Sequence, residues 1–122
     1  MSDAWFTEFA AELARCLVDA ESCAQACEQL LERAQASGDA ELQRHVVDAV
    51  VGVAAIARVL IELIDHPPQL TVAAARLCRE AAIAAIARLE ALGDRIDTGE
   101  AIAALRASEA SCARLLDVSA PL

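Results

Sequence analysis

The chain has 122 residues, 57% of them hydrophobic but only 2% aromatic, with no Tyr, one Trp and two Phe. That is long enough for one domain with a real core, and the core must be built from Ala, Leu, Val and Ile, a helical inventory. Nineteen acids against ten bases give a net charge of −9, which repels a phosphate backbone and argues against nucleic acid as a partner.

Mean hydropathy is positive, +0.42. Even so, Asp48, Arg58, Arg76, Glu80 and Arg88 break each apolar run short of bilayer length, and no membrane span is expected. The start, Met1-Ser2-Asp3-Ala4-Trp5, lacks the basic and apolar regions of a secretory signal, so a cytoplasmic protein with reduced thiols is expected. Five cysteines, an odd number, also argue against a closed disulfide framework.

Glycine and proline cluster and divide the chain into four helices. The first is expected over about 3–36, ending at Ser37-Gly38-Asp39, where Gly38 supplies the stop and Asp39 the next N-cap. The second runs over 39–65 and is halted by His66-Pro67-Pro68, because proline cannot continue a helix. The third covers 69–92. After Gly93-Asp94, Asp97 and Glu100 have capping-box spacing for a fourth helix over 97–117, followed by a frayed tail, Ser119-Ala120-Pro121-Leu122.

Long helices with short connections fold as an all-α, antiparallel up-down-up-down four-helix bundle, here one domain over 1–122. The second helix carries Val46, Val47, Val50, Val51, Val53, Ile56, Val59, Leu60, Ile61 and Leu63, more apolar positions than one face holds. A homo-oligomer formed through these faces is expected, with helix exchange or a different protein partner as alternatives.

Cys16, Cys23 and Cys27 fall on one face of the first helix, and with Ala20 they make a four-three-four spacing that points at a bundle axis. The same spacing laid on the other helices gives His45, Ala49, Gly52 and Ile56; then Cys78, Ala82, Ala85 and Leu89; then Ala101, Leu105, Ser108 and Cys112. A rise of about 1.5 Å per residue sorts the candidates into two levels. Cys16, Cys78 and Cys112 form one; Cys23 and Cys27, with His45 entering beside them, form the other.

Soft thiolates select Cu(I), which two or three of them satisfy, whereas a tetrahedral zinc site wants four ligands. Cys23, Cys27 and His45 supply at most three. Cys23 and Cys27, one turn apart, are expected to hold an ion most tightly. The competing reading has the cysteines as small core fillers and both His45 and His66 as surface residues. The acids Glu8, Glu12, Asp19, Glu21, Glu28, Glu32 and Glu62 are expected mostly on outer faces. With no Glu-x-x-His pair, phosphate loop or nucleophile elbow, an enzyme is not expected.

Three stretches carry a resemblance: Cys23-Ala24-Gln25-Ala26-Cys27, the run from His45 to Gly52 leading to Ala57-Arg58-Val59-Leu60, and the run from Ser108 to Leu116. Spread between Cys16 and Leu116, they resemble the bacterial copper storage proteins, whose four-helix bundles bind many Cu(I) ions through thiolates lining the core. The resemblance implies Cu(I) as the cargo and Cys16, Cys23, Cys27, Cys78 and Cys112 as ligands. It also implies depletion, because Ala20, Gly52, Ile56, Ala82, Ala85, Leu89, Ala101, Leu105 and Ser108 stand where that family typically has cysteine. The capacity for copper that follows is small or absent. The sequence therefore leaves two readings: a binder of a few Cu(I) ions, or a metal-free bundle acting through its apolar faces.

Overall fold

A computed structural model describes residues 3–120, which form four long helices and, among the described residues, no strand. The expected Pro121-Leu122 end of the tail lies outside the described residues, as do Met1 and Ser2. Helix α1 spans Asp3–Ala36, α2 Ala40–Glu62, α3 Pro68–Ala91 and α4 Gly99–Val118. No described helix is long and apolar enough to cross a membrane.

The stops act through their local chemistry. Gly38 takes φ 71°, the left-handed region that favours glycine, and Ser37 Oγ donates to the Ala34 carbonyl at 2.6 Å, satisfying an end carbonyl of α1. Asp39 caps α2 by accepting from the Leu42 amide at 3.0 Å. Beyond α2 a single 3-10 turn, Leu63–Asp65, leads to Pro68 in the first turn of α3, where the missing N–H is no loss. Gly93 at φ 59° opens a second 3-10 turn, Gly93–Arg95. The capping box expected at Asp97 is displaced: Thr98 is the N-cap residue, and Asp97 Oδ1 instead accepts from the Gly99 amide at 2.9 Å. The short Asp97 side chain makes its local turn one residue before the N-cap, where it cannot serve the third amide of α4.

Each helix packs on its neighbours in sequence, and α4 packs on α1, which closes a four-helix bundle. Polar links mark the seams. Trp5 Nε1 donates to the Val118 carbonyl at 2.6 Å, joining the first turns of α1 to the last of α4. Gln43 Nε2 reaches the Gln35 carbonyl and Arg88 reaches the Asp48 carbonyl. The largest fully buried side chains are leucines, Leu30, Leu60, Leu89, Leu105 and Leu115, and truncating any one to Ala costs about 2–5 kcal/mol.

The register of α2 departs from expectation. Leu42, Val46, Ala49, Val50, Val53, Ala57 and Leu60 are buried, while Gly52 is exposed and Ile56 only partly covered. The larger valine side chains bury more apolar area than a stripe of His45, Ala49 and Gly52, so α2 turns them to the core. Val47, Val51 and Val59 are left on its outer side, about half exposed.

Candidate metal centre

All five cysteines are free, and each has no solvent exposure. Cys16, Ala20, Cys23 and Cys27 form the inward stripe of α1; Cys78, Ala82, Ala85 and Leu89 that of α3; Ala101, Leu105, Ser108 and Cys112 that of α4. The core divides into two clusters. One holds Cys23 and Cys27 with Leu30, Val46, Val50, Leu89 and Leu105; the other holds Cys16, Cys78 and Cys112 with Phe9, Ala20, Leu60 and Leu115.

In the second cluster Cys16 Sγ lies 3.6 Å from Cys112 Sγ, joining α1 to α4. That gap is far longer than a disulfide bond of about 2.05 Å and shorter than twice a metal–thiolate bond of about 2.3 Å, so one ion can touch both sulfurs without parting the helices. Cys78 lies 3.8 Å from Ser108 Oγ and packs in the same cluster as Cys16 and Cys112. Cys112 is the hub of this cluster, touching a thiol on α1 and sharing buried space with another on α3.

Sharing of protons sets the acidities. The Cys112 thiol is pushed up to about 12 by its hydrogen bond with Cys16, partly offset by the one with Cys78, with burial adding to the rise. Cys78 is raised by its bond with Cys112 and by burial. In the first cluster Cys23 and Cys27 lie one turn apart on α1, and their interaction raises Cys23, with burial adding to the rise, and holds Cys27 below the usual thiol range. The pair gives up one proton more readily than two.

His45 does not join Cys23 and Cys27. Its side chain is 45% exposed and pairs with Glu41 at 3.5 Å, because the α2 register turns Val46 inward and leaves position 45 outside. His66 is likewise exposed, in the turn before the two prolines. Among the described residues no group of three or more His, Cys, Asp or Glu could hold a metal ion. The donor set is thus paired, soft and dry, which suits an ion content with two thiolates and does not suit tetrahedral zinc.

A family model for Csp, copper storage protein, matches residues 9–117, nearly the whole chain. The chain belongs to the copper storage protein family. Comparison with curated proteins gives no match, and neither does comparison with solved structures. Ala20, Ala82, Ala85, Leu89, Ala101, Leu105 and Ser108 fill inward positions of the bundle without a thiol.

Ser108, placed by the sequence on the inward stripe of α4, is fully buried against Cys78. One feature escaped sequence reading, a clamp outside the thiol core: Arg58 on α2 pairs with Glu21 at 2.9 Å and Glu28 at 2.7 Å on α1. Their spacing of seven residues sets both on one edge of α1, but nothing along the chain links that edge to Arg58. Hydrogen bonding to Arg58 lowers Glu21, and the two carboxylates raise the guanidinium. Glu12, also expected among the solvent charges, is only 15% exposed, held between Arg15 at 3.2 Å and Arg114 at 3.4 Å.

Proposed function

We propose that this chain binds a small number of Cu(I) ions by core-facing cysteine thiolates, as a cysteine-poor member of the copper storage family. The observation that carries the reading is the 3.6 Å approach of Cys16 and Cys112 inside a core without solvent exposure. Cys23 and Cys27, one turn apart on α1, supply a second pair, and Cys78 lies in the same buried cluster as the first. His45, expected from sequence among the ligands, is left out because it pairs with Glu41 on the outer side of α2. A buried thiolate pair excludes water and oxygen ligands and favours a soft monovalent ion, which spreads the least charge into a medium of low dielectric. The chain holds its cargo without catalysis, in a cytoplasm reducing enough to keep all five thiols free.

The experiment is an anaerobic Cu(I) titration against a competing chelator, with free thiols counted before and after. One or two ions bound with loss of thiol reactivity is the expected outcome; no competition with the chelator would sink the reading.

A second reading rests on the exposed Val47, Val51 and Val59 of α2, together with Leu70, Leu77 and Ile83 of α3. We propose on this ground that the bundle self-associates, whether or not it carries copper.

A further inference from the structure

We propose that copper occupancy at the Cys112 hub strengthens the fold, whereas occupancy at Cys23 and Cys27 leaves fold stability unchanged, so that the chain's resistance to unfolding reports which pair is filled. This rests on the Cu(I) reading above and concerns what the bound ion does to its carrier.

A ligand stabilises a fold only by the difference between its affinities for the folded and unfolded chain. The two thiol pairs differ sharply in that respect. Cys23 and Cys27 are 27 − 23 = 4 residues apart, so the unfolded chain brings their sulfurs together with little loss of entropy. Cys16 and Cys112 are 96 residues apart and meet, at 3.6 Å, only because α1 packs on α4. Loop-closure probability falls as about the −3/2 power of length, so the unfolded chain chelates through the distant pair on the order of a hundredfold less well than through the near one. An ion at Cys23 and Cys27 is held by both states; an ion at Cys112 is held by the folded state and ties α1 to α4. Cys78, on α3, packs in the same cluster, and 112 − 78 = 34 residues separate it from Cys112, so an ion shared by that pair would also link two helices. The hub therefore remains a link between helices whichever partner it uses.

The test uses the full chain under anaerobic conditions, with one equivalent of Cu(I), binding measured by chelator competition and stability by urea unfolding followed by helical circular dichroism. Cys23→Ala with Cys27→Ala keeps the hub; Cys112→Ala keeps the near pair; Cys16→Ala with Cys78→Ala keeps the near pair and isolates Cys112. The hub-only variant is expected to bind Cu(I) and to gain about 1 M in urea midpoint. The other two are expected to bind Cu(I) at Cys23 and Cys27 with no shift. If metal-free Cys112→Ala proves unfolded, the Cys16 and Cys78 variant carries the same comparison. Equal shifts in all variants, or a hub-only variant that binds Cu(I) without a shift or fails to bind, overturn the inference. A wild-type chain that never competes with the chelator fails earlier, and there the copper reading itself falls.

Discussion

Cys78 Sγ and Ser108 Oγ lie 3.8 Å apart on facing positions of α3 and α4, both fully buried. Ser108 thus sits where one more sulfur would complete a group with Cys78, Cys112 and Cys16. Ser108→Cys is expected to raise Cu(I) uptake by one ion, read from the anaerobic titration end point. The larger sulfur costs about 1–3 kcal/mol of overpacking, read as a fall in thermal midpoint. An unchanged end point with a folded variant would show that Cys78 and position 108 cannot share an ion.

Copper affinity should depend on pH through the thiol protons. Cys112, pushed up to about 12, is protonated throughout the range from pH 6 to 9, and a thiol must lose its proton to bind metal. Its folded-state acidity is weakened, so the thiolate fraction grows about tenfold per pH unit and the apparent affinity with it. In the variant lacking Cys23 and Cys27, Cu(I) affinity is expected to rise at least about tenfold per pH unit. Affinity that stays level across that range would mean Cys112 is not a ligand.

Acid should weaken the α1–α2 junction. The carboxyl of Asp39 is held below its ordinary value by the hydrogen bond from the Leu42 amide, with Arg95 assisting, so its contribution is complete above about pH 4 and fades as pH falls through the folded value. Glu21, lowered chiefly by its hydrogen bond with Arg58, behaves with the same sign. Asp39→Asn keeps a capping oxygen but does not titrate. Its thermal midpoint is expected to fall less between pH 5 and 2 than that of the wild type; identical acid profiles would exclude the cap as a source.

His45→Ala is expected to leave Cu(I) affinity unchanged, since the imidazole pairs with Glu41 on the outside of α2. A drop of tenfold or more in the competition assay would place it among the ligands after all.

The contrast between His45 and the cysteines marks where the sequence was legible. On α1, three cysteines on one stripe leave a single inward register, and all three are buried. The helix breaks were legible too, because Gly38, Gly93 and the Pro67-Pro68 pair act on the backbone locally. On α2, Val46 with Val47 and Val50 with Val51 offer two adjacent stripes about 100° apart, and nothing local chooses between them. Packing against α1 and α3 decides, and that information lies outside the helix. The Arg58 clamp is of the same kind, since Glu21 and Glu28 lie 37 and 30 residues away from it in sequence.

The unburied stripe on α2 predicts assembly. Val51 is 45% exposed between Val47 and Val59 on the outer side of the helix. Light scattering at micromolar concentration is expected to give the mass of a dimer or larger species, and Val51→Glu to shift it to monomer by placing a charge in an apolar contact. A wild-type monomer would show that these valines face water.

The indole of Trp5 gives the molecule an optical property. It stacks on Phe9 with ring centroids 5.1 Å apart and meets Phe6 edge-on at 5.0 Å. Phe9 packs in the same cluster as Cys16, Cys78 and Cys112, and Trp5 rests against that cluster. With a single Trp and no Tyr in the chain, near-ultraviolet emission comes from this one corner and from no other part of the bundle. The fluorophore therefore reports on the α1–α4 end alone, and is silent about the level where Cys23 and Cys27 lie.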